Sequence, residues 1–211
     1  MYTPSAFALD DLSSLQRQML DTRLAIVVTH GEQGLQASHL PLLLNPEEGA
    51  QGTLYGHFAR ANPQWRDLEA GAPVMVIFAG DEAYISPSFY PSKAEHGKAV
   101  PTWNYLAVHA YGRAEVFNDA ERLHRLVSDL TDRHEGRRAE PWKVTDAPTD
   151  YIDSMLRAIV GFALPIERLE GKRKLGQNRS AADFAGIRAG LGASSDPRDQ
   201  ALAHLMPKEK P

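Results

Sequence analysis

The chain has 211 residues, of which 43% are hydrophobic and 24% charged, with a formal net charge of −4. This composition is typical of a soluble globular protein, and the acidic balance excludes a global positive field that attracts nucleic acid or anionic membranes. The absence of cysteine excludes disulfides, thiolate metal sites and a cysteine nucleophile. No apolar run approaches the ~20 residues of a membrane span, and the first residues lack the features of a signal peptide, so we expect a cytoplasmic protein.

The first half of the chain is predicted to alternate between strands and two helices. Hydrophobic periodicity and turn residues predict, in chain order, a helix over 11–22, strands over 24–30, 35–44 and 53–58, a short helix over 62–71, and strands over 74–79 and 82–86. Asn62 followed by Pro63 has the pattern of a helix N-cap and first helical residue. Gly80 and Asp81 have the pattern of a tight hairpin turn between the last two strands.

The second half is predicted to contain one long strand, three helices and a returning strand. These are a strand over 103–117, a helix after 118, a helix over 151–159, a strand over 161–169 and a helix over 181–191. Gly112 predicts a bend or bulge in the long strand. Asn118 and Ser180 are predicted to cap the helices that follow them. The residues from Gly192 onward are polar and are expected to fray.

Six or seven strands in meander-like order, with helices at the periphery, predict a mainly β fold of the α+β type, built on a small antiparallel barrel. The chain contains no internal repeat and no low-complexity linker. We therefore expect a single domain over residues 1–191, followed by a polar C-terminal tail over residues 192–211.

The segment around residues 86–105 is longer and less charged than a connection between two strands requires. Lys93 and Thr102 suit a phosphate, and Asn104 offers a donor and an acceptor to the edge of a heterocycle. Trp103 suits stacking on a planar ring, although packing within a barrel explains it equally well. This segment is the first candidate for a ligand site.

Two further short motifs place polar residues near the ends of predicted elements. Ser38 and His39 interrupt an apolar strand, and His39 is explained equally well by a ligand contact and by the wet face of the strand. Arg60 precedes the predicted helix N-terminus, where backbone N–H groups favour an anion, so we expect it to bind phosphate rather than form a surface ion pair. A capping role alone explains Asn62, which belongs to the same motif.

A fourth cluster of polar residues precedes the last predicted helix. Lys174, Gln177 and Asn178 lie in a run of long polar side chains that the packing of an apolar face does not explain. Arg179 and Ser180 are explained by the start of the helix. No dinucleotide-binding GxGxxG, P-loop or nucleophile-elbow motif is present, and the histidines lack metal-ligand spacing, so no metal site is expected.

Taken together, these segments resemble the PaiB-like family of FMN-binding negative transcriptional regulators. The resemblance covers nearly the whole chain up to Leu191 and is carried by ASHLP at 37–41, GHFARANPQW at 56–65, SFYPSK at 88–93, VPTWNY at 100–105 and KLGQNRS at 174–180. It implies the FMN-binding split β-barrel, a fold shared with pyridoxamine-phosphate oxidases and several flavin reductases. It also implies a homodimer with two FMN sites at the subunit interface.

The resemblance also implies which residues contact the flavin. The residues that it makes candidates for FMN binding are Ser38, His39, Arg60, Asn62, Lys93, Thr102, Trp103, Asn104, Lys174, Gln177 and Asn178. Among them, Arg60 and either Lys93 or Thr102 become candidates for the phosphate, and the KLGQN segment would reach the site from the partner subunit. Gly176 stands where a serine is expected in this family, which removes one hydroxyl.

Three functions are compatible with these residues, so whether the chain is an enzyme stays open. The leading one is flavin-mediated electron or hydride transfer on a small molecule by a cytoplasmic FMN-binding homodimer. The second is a transcriptional regulator in which FMN is a sensor or has no catalytic role. The third is a haem-handling split barrel with His39, His57 or His109 as axial ligand. Because no helix-turn-helix with a basic recognition helix is present, we expect no direct recognition of a DNA sequence and only indirect regulation.

Overall fold

Nine strands and seven α-helices make up the computed structural model, which describes residues 1–210. The strands are β1 (Ala8–Leu9), β2 (Ala25–Gly31), β3 (Gly34–Leu40), β4 (Leu43–Asn45), β5 (Thr53–Ala59), β6 (Val74–Ile85), β7 (Thr102–Gly112), β8 (Glu115–Phe117) and β9 (Ile159–Lys174). The helices are α1 (Leu12–Asp21), α2 (Trp65–Glu69), α3 (Ser92–His96), α4 (Ala120–Glu135), α5 (Thr149–Arg157), α6 (Ala181–Gly192) and α7 (Pro197–Leu205). The predicted mainly β fold with peripheral helices is confirmed, with more strands than expected. Within residues 1–210, no helix is long and apolar enough to span a lipid bilayer.

The sheet is mainly antiparallel and joins strands that lie far apart in the sequence. Its strands follow the order β3-β2-β6-β7-β9-β5-β4, and β1 and β8 also pair with β9. Antiparallel registers join β2 to both β3 and β6, and join β5 to both β4 and β9. The long strand β9 pairs with four strands, β1, β5, β7 and β8. This late strand therefore connects strands from the beginning and the middle of the chain.

The chain divides into two compact units, each with its own apolar cluster. The first unit contains residues 1–15, 79–108 and those from 170 onward, and the second contains residues 16–78 and 109–169. The cluster of the first unit includes Ile85, Tyr90, Leu106, Phe184, Ile187, Leu191 and Leu202. The cluster of the second unit includes Phe117, Leu123, Leu126, Leu130 and Leu156. The predicted helix after residue 118 is confirmed as α4, which contributes three buried leucines to this second cluster.

The predicted hairpin turn at Gly80-Asp81 is wrong, because β6 runs without interruption from Val74 to Ile85. Gly80 does not adopt the positive φ that a tight hairpin turn of this kind requires. The buried positions change from even to odd numbers along this strand, with Phe78 and Ala83 on either side of the change. The Gly-Asp pair therefore marks a switch of the buried face within one strand.

The predicted start of the second helix, at Asn62 and Pro63, is also wrong. The helix α2 is five residues long and begins at Trp65. The Asn62 side chain instead accepts a hydrogen bond from the backbone N–H of Gln64 at 3.0 Å, which closes a turn before the helix. With so short a helix, the dipole argument for an anion beside Arg60 no longer applies.

The caps of α4 and α6 follow the predicted chemistry, with one shift in position. Asp119, and not Asn118, caps α4 by accepting from the backbone N–H of Arg122 at 2.8 Å. Ser180 caps α6 as predicted, accepting from the backbone N–H of Asp183 at 3.1 Å. Both residues before α4 are competent caps, so the sequence alone cannot choose between them.

The expected fraying after Gly192 does not occur, because residues 197–205 form α7. The Asp196 side chain caps this helix by accepting from the backbone N–H of Arg198 at 2.9 Å. Leu202 and Met206 are buried in the apolar cluster of the first unit. The segment was predicted to fray because most of its residues are polar and only a few apolar residues pack against the core. The boundary at residue 191 stays a prediction.

Candidate functional site

The first unit contains a cavity of about 130 Å³, which we call the Lys174 cavity. The residues that line it are Phe7, Tyr90, Thr102, Asn104, Lys174, Gly176, Asn178, Arg179 and Ile187. One buried water needs roughly 10–15 Å³ of such space, so the cavity admits a group of several heavy atoms. Four of the residues predicted from the sequence meet here, namely Thr102, Asn104, Lys174 and Asn178.

Two strand ends bring these polar side chains together. Thr102 is the first residue of β7, and Asn104 follows two positions later on the same face. Lys174 is the last residue of β9. Its Nζ donates a hydrogen bond to Thr102 Oγ1 at 2.6 Å, so the lysine is held at one wall of the cavity by a residue from a different strand.

Two buried polar atoms of the cavity have no hydrogen-bond partner among residues 1–210. They are Asn104 Nδ2 and the hydroxyl of Tyr90. Their side chains belong to residues that are 1% and 3% exposed, respectively. A buried polar atom without a partner costs about 1–3 kcal/mol, and such atoms are rare in folded proteins. Arg179 lies near the Tyr90 oxygen and can act only as a donor toward it. Neither Asn104 Nδ2 nor the Tyr90 O–H therefore has an acceptor among residues 1–210, and a ligand would supply one.

The charges around the cavity favour an anion. Lys174 and Arg179 line it, and no carboxylate does. Burial lowers the pKa of Lys174, and the nearby charges of Lys172 and Arg179 lower it further. The Arg179 guanidinium lies 4.8 Å from the centre of the Tyr90 ring. An anion would relieve the repulsion between these cations and supply the missing acceptors, so this donor set fits a phosphate group.

The conformation of the turn after β9 explains why glycine, and not the serine expected in the family, stands at position 176. Gly176 has φ of +85°, a left-handed conformation in which a serine would be strained. The Gln177 side chain accepts from the backbone N–H of Leu175 at 2.7 Å and donates to the carbonyl of Arg173. Gln177 therefore shapes the turn that carries Gly176 and Asn178 to the cavity.

Two other predicted residues of the first unit lie outside the lining of the cavity. Lys93 is exposed on α3. Trp103 is 52% exposed and lies edge-on to Tyr84, with 6.0 Å between the ring centroids. Because Trp103 alternates with Thr102 and Asn104 along β7, it presents its ring on the opposite face of the strand. Its predicted stacking on a planar ring stays a prediction.

In the second unit, Ser38 and Asn62 are joined by a hydrogen-bond network around Gln64. Asn62 Nδ2 donates to Ser38 Oγ at 2.8 Å, and Ser38 Oγ donates to Gln64 Oε1 at 2.6 Å. Gln64 is buried, at 1% exposure, and its Nε2 donates to the carbonyl of Val27 at 2.9 Å. This network fixes the turn before α2 against β2 and β3. Sequence reasoning did not single out Gln64, whose only signal was its place in the ARANPQW motif.

Arg60 and His39, also in the second unit, occupy different environments. The Arg60 guanidinium donates at 2.8 Å to each of three oxygens, the carbonyls of Arg157 and Ile159 and the side chain of Asn118. These contacts hold the ends of β5 and β9 together. His39 is exposed on β3. The phosphate and flavin contacts expected of these two residues stay predictions.

His57 and His109, the other two candidate haem ligands, lie in different surroundings, and a haem-binding role for them stays a prediction. His57 Nδ1 is buried and has no hydrogen-bond partner among residues 1–210, and burial lowers the pKa of this side chain. His109 lies 3.4 Å from the hydroxyl of Tyr111. Within the described residues, no group of three or more His, Asp or Glu side chains could hold a metal ion.

Comparison with known proteins places the chain in a family. The family model described as "Putative FMN-binding domain" matches residues 1–168. The chain is 34% identical over 206 residues to "Protease synthase and sporulation protein PAI 2" of Bacillus subtilis (strain 168), covering 98% of this chain and 96% of that protein. These two matches span nearly the whole sequence.

Solved structures with low sequence identity share the fold. The FAD and heme binding protein from Mycobacterium smegmatis matches with a TM-score of 0.59 and 18% identity, covering 96% of this chain and 98% of that one. The flavocytochrome Anf3 from Azotobacter vinelandii matches with a TM-score of 0.56 and 18% identity, covering 81% and 70%, respectively. The chain therefore belongs to the PaiB-like family of FMN-binding split-barrel proteins, and its cofactor is FMN.

Proposed function

We propose that this chain holds the phosphate of FMN in the Lys174 cavity and uses the bound flavin for redox chemistry on a small molecule. The observation that carries the proposal is the pair of buried donors without partners, Tyr90 and Asn104, beside two cations and no carboxylate. When bound, FMN supplies electron or hydride transfer, while the protein supplies binding and orientation.

The residues of the cavity have separable tasks toward the phosphate. Lys174 and Arg179 would neutralise its charge, and the hydroxyl of Tyr90 and the amide of Asn104 would donate hydrogen bonds to its oxygens. Thr102 holds the Lys174 ammonium in place at 2.6 Å. The cavity of about 130 Å³ has room for the phosphate but not for the whole cofactor, so the flavin ring would lie outside it.

The experiment compares FMN with riboflavin, which lacks the phosphate, in fluorescence titrations of the Lys174→Met variant. We expect the variant to lose about tenfold or more in FMN affinity, because a hydrogen bond to a charged group contributes about 1.5–3 kcal/mol. Riboflavin affinity should stay unchanged. The matched control is Lys208→Met, which removes an exposed lysine outside the cavity. An equal loss for both ligands, or no loss for FMN, would contradict the phosphate assignment.

We also propose that the protein is a homodimer. Tyr84 is 48% exposed and Trp103 is 52% exposed, and they form an edge-to-face pair on the neighbouring strands β6 and β7. Val100, 67% exposed, precedes β7 in the same unit. Exposed aromatic pairs of this kind are typical of the centre of protein interfaces.

Any effect on transcription is proposed to be indirect. Specific DNA recognition needs side chains aimed at base edges in addition to contacts with phosphates. The net charge of −4 opposes such contacts over the molecule as a whole. The regulatory role, the identity of the small-molecule substrate and the cytoplasmic location stay predictions.

A further inference from the structure

A second polar cavity, unrelated to the Lys174 cavity, lies in the second unit where the C-terminal ends of α1 and α4 meet. Its volume is about 520 Å³. We call it the arginine cavity, and its lining residues are Leu20, Asp21, Arg23, Arg133, His134, Arg137 and Arg138. The volume falls within the range of roughly 300–1,000 Å³ that is typical of small-molecule sites.

One arginine of this cavity is fixed by the fold. Arg133 Nη1 donates to the carbonyl of Leu42 at 2.6 Å, and its Nη2 donates to the carbonyl of Leu20. Both acceptors are neutral main-chain atoms, so the guanidinium keeps its full charge while its orientation is set. The cavity thus has one preorganised cation in its wall.

The other arginines differ in how far their charges are already neutralised. Arg138 donates to a Glu135 carboxylate oxygen at 2.9 Å. Arg23 and Arg137 are exposed and make no hydrogen bond or ion pair with any of residues 1–210. The two helix ends contribute about one negative charge in total, and Asp21 adds another. Positive charge therefore remains in excess, and it is concentrated on Arg23, Arg133 and Arg137.

We propose that the arginine cavity binds a small molecule carrying two or more linked phosphate groups. Guanidinium forks match the oxygens of phosphates in a bidentate manner, and arginine is favoured over lysine at such sites. All four long cationic residues of this cavity are arginines, and none is a lysine. Its volume is about four times that of the Lys174 cavity, the proposed site of one phosphate group.

The probe is inorganic pyrophosphate, titrated calorimetrically into the FMN-loaded protein in phosphate-free buffer. We expect one site per chain and at least tenfold weaker binding of orthophosphate, which offers fewer oxygens to the separated arginines. Flavin fluorescence should not change during the titration, because this cavity and the Lys174 cavity have no lining residue in common.

The test variant is Arg23→Gln combined with Arg137→Gln, which leaves the structural contacts of Arg133 intact. We expect at least a tenfold loss of pyrophosphate affinity and unchanged FMN affinity. The matched control is Arg17→Gln, an exposed arginine of α1 that does not line the cavity. The absence of saturable pyrophosphate binding, equal binding of orthophosphate, or an equal loss in the control would overturn the proposal. Duplex DNA that displaced pyrophosphate at a lower concentration of phosphate groups would overturn it in favour of a nucleic-acid surface.

Discussion

Tyr90 and Asn104 bury polar atoms that packing alone does not require. A phenylalanine and a leucine would fill similar space without the free-energy cost of an unpaired buried donor. Both residues face the same cavity as Lys174 and Arg179. Natural sequences violate rules of local consistency mainly at functional sites, and two such residues beside two cations support the proposed ligand site.

The depressed pKa of Lys174 predicts opposite pH trends for FMN binding and for stability. Lys174 has an ordinary value of 10.5, which burial and two neighbouring cations lower in the fold. As pH rises toward 10.5, the folded protein loses this proton before the unfolded chain does. FMN affinity should therefore fall across this window, while the free energy of unfolding of the FMN-free protein should rise.

Titrations with FMN and riboflavin at several pH values, together with urea unfolding of the FMN-free protein, check both trends. The riboflavin series corrects for titration of the flavin ring itself. In Lys174→Met, the difference between the two ligands should no longer depend on pH in this window. A wild-type protein whose FMN and riboflavin affinities changed in parallel would show that Lys174 does not meet the phosphate.

Part of this site could be predicted from the sequence, because two segments contain polar residues that neither core packing nor a helix cap explains. Thr102 and Asn104 were found through their place at the start of an aromatic strand, and Lys174 through the polar run before the last predicted helix. Tyr90 and Arg179 were missed. Each has an ordinary explanation when read alone, as a loop aromatic or as a residue before a helix. Only the fold shows that they face one space, because it brings Thr102 and Lys174, which are 72 residues apart, within hydrogen-bond distance.

Among the elements, α6 holds the segment that carries Tyr90. The backbone N–H and the hydroxyl of Ser92 donate to the two carboxylate oxygens of Asp183 at 3.1 and 2.8 Å. Two glycines of α6 let the helix approach this segment closely. A Cβ on Gly186 would lie 2.1 Å from the carbonyl oxygen of Phe89, and one on Gly190 would lie 2.3 Å from its ring.

Gly186→Ala is therefore expected to destabilise the protein by about 1–3 kcal/mol, the usual cost of overpacking. It should also weaken FMN binding, since the displaced backbone leads directly to Tyr90. Urea unfolding and an FMN titration measure the two effects. The matched control is Gly192→Ala at the end of the same helix, where a Cβ meets nothing within 4 Å. Equal stability of the two variants would contradict the close packing of α6 against Phe89.

Element boundaries were predicted best where periodicity was strong and worst where single turn residues were read in isolation. The apolar faces of α1 and α4 were evident from the sequence, since several leucines repeat at helical spacing. The Gly80-Asp81 pair looked like a turn but lies inside β6, which runs without interruption to Ile85. The helix α7 was not predicted because only a few of its residues are apolar and buried.

For the molecule as a whole, the exposed aromatic pair predicts a dimer. Light scattering of the wild-type protein at micromolar concentration should give about twice the 23.3 kDa of one chain. Tyr84→Glu should shift the mass toward that of a single chain, because a buried carboxylate without a partner is costly. Tyr151→Glu, which changes a tyrosine that is 55% exposed on α5, serves as the control and should leave the dimer intact. A wild-type monomer would refute the dimer.

A crystal structure of the protein with FMN would show where the phosphate binds. We expect the phosphate to lie in the Lys174 cavity and to accept hydrogen bonds from Lys174 Nζ, the Tyr90 hydroxyl and Asn104 Nδ2, so that neither buried donor remains without a partner. A phosphate bound at Arg60 in the second unit, with Tyr90 and Asn104 still unpaired, would contradict it.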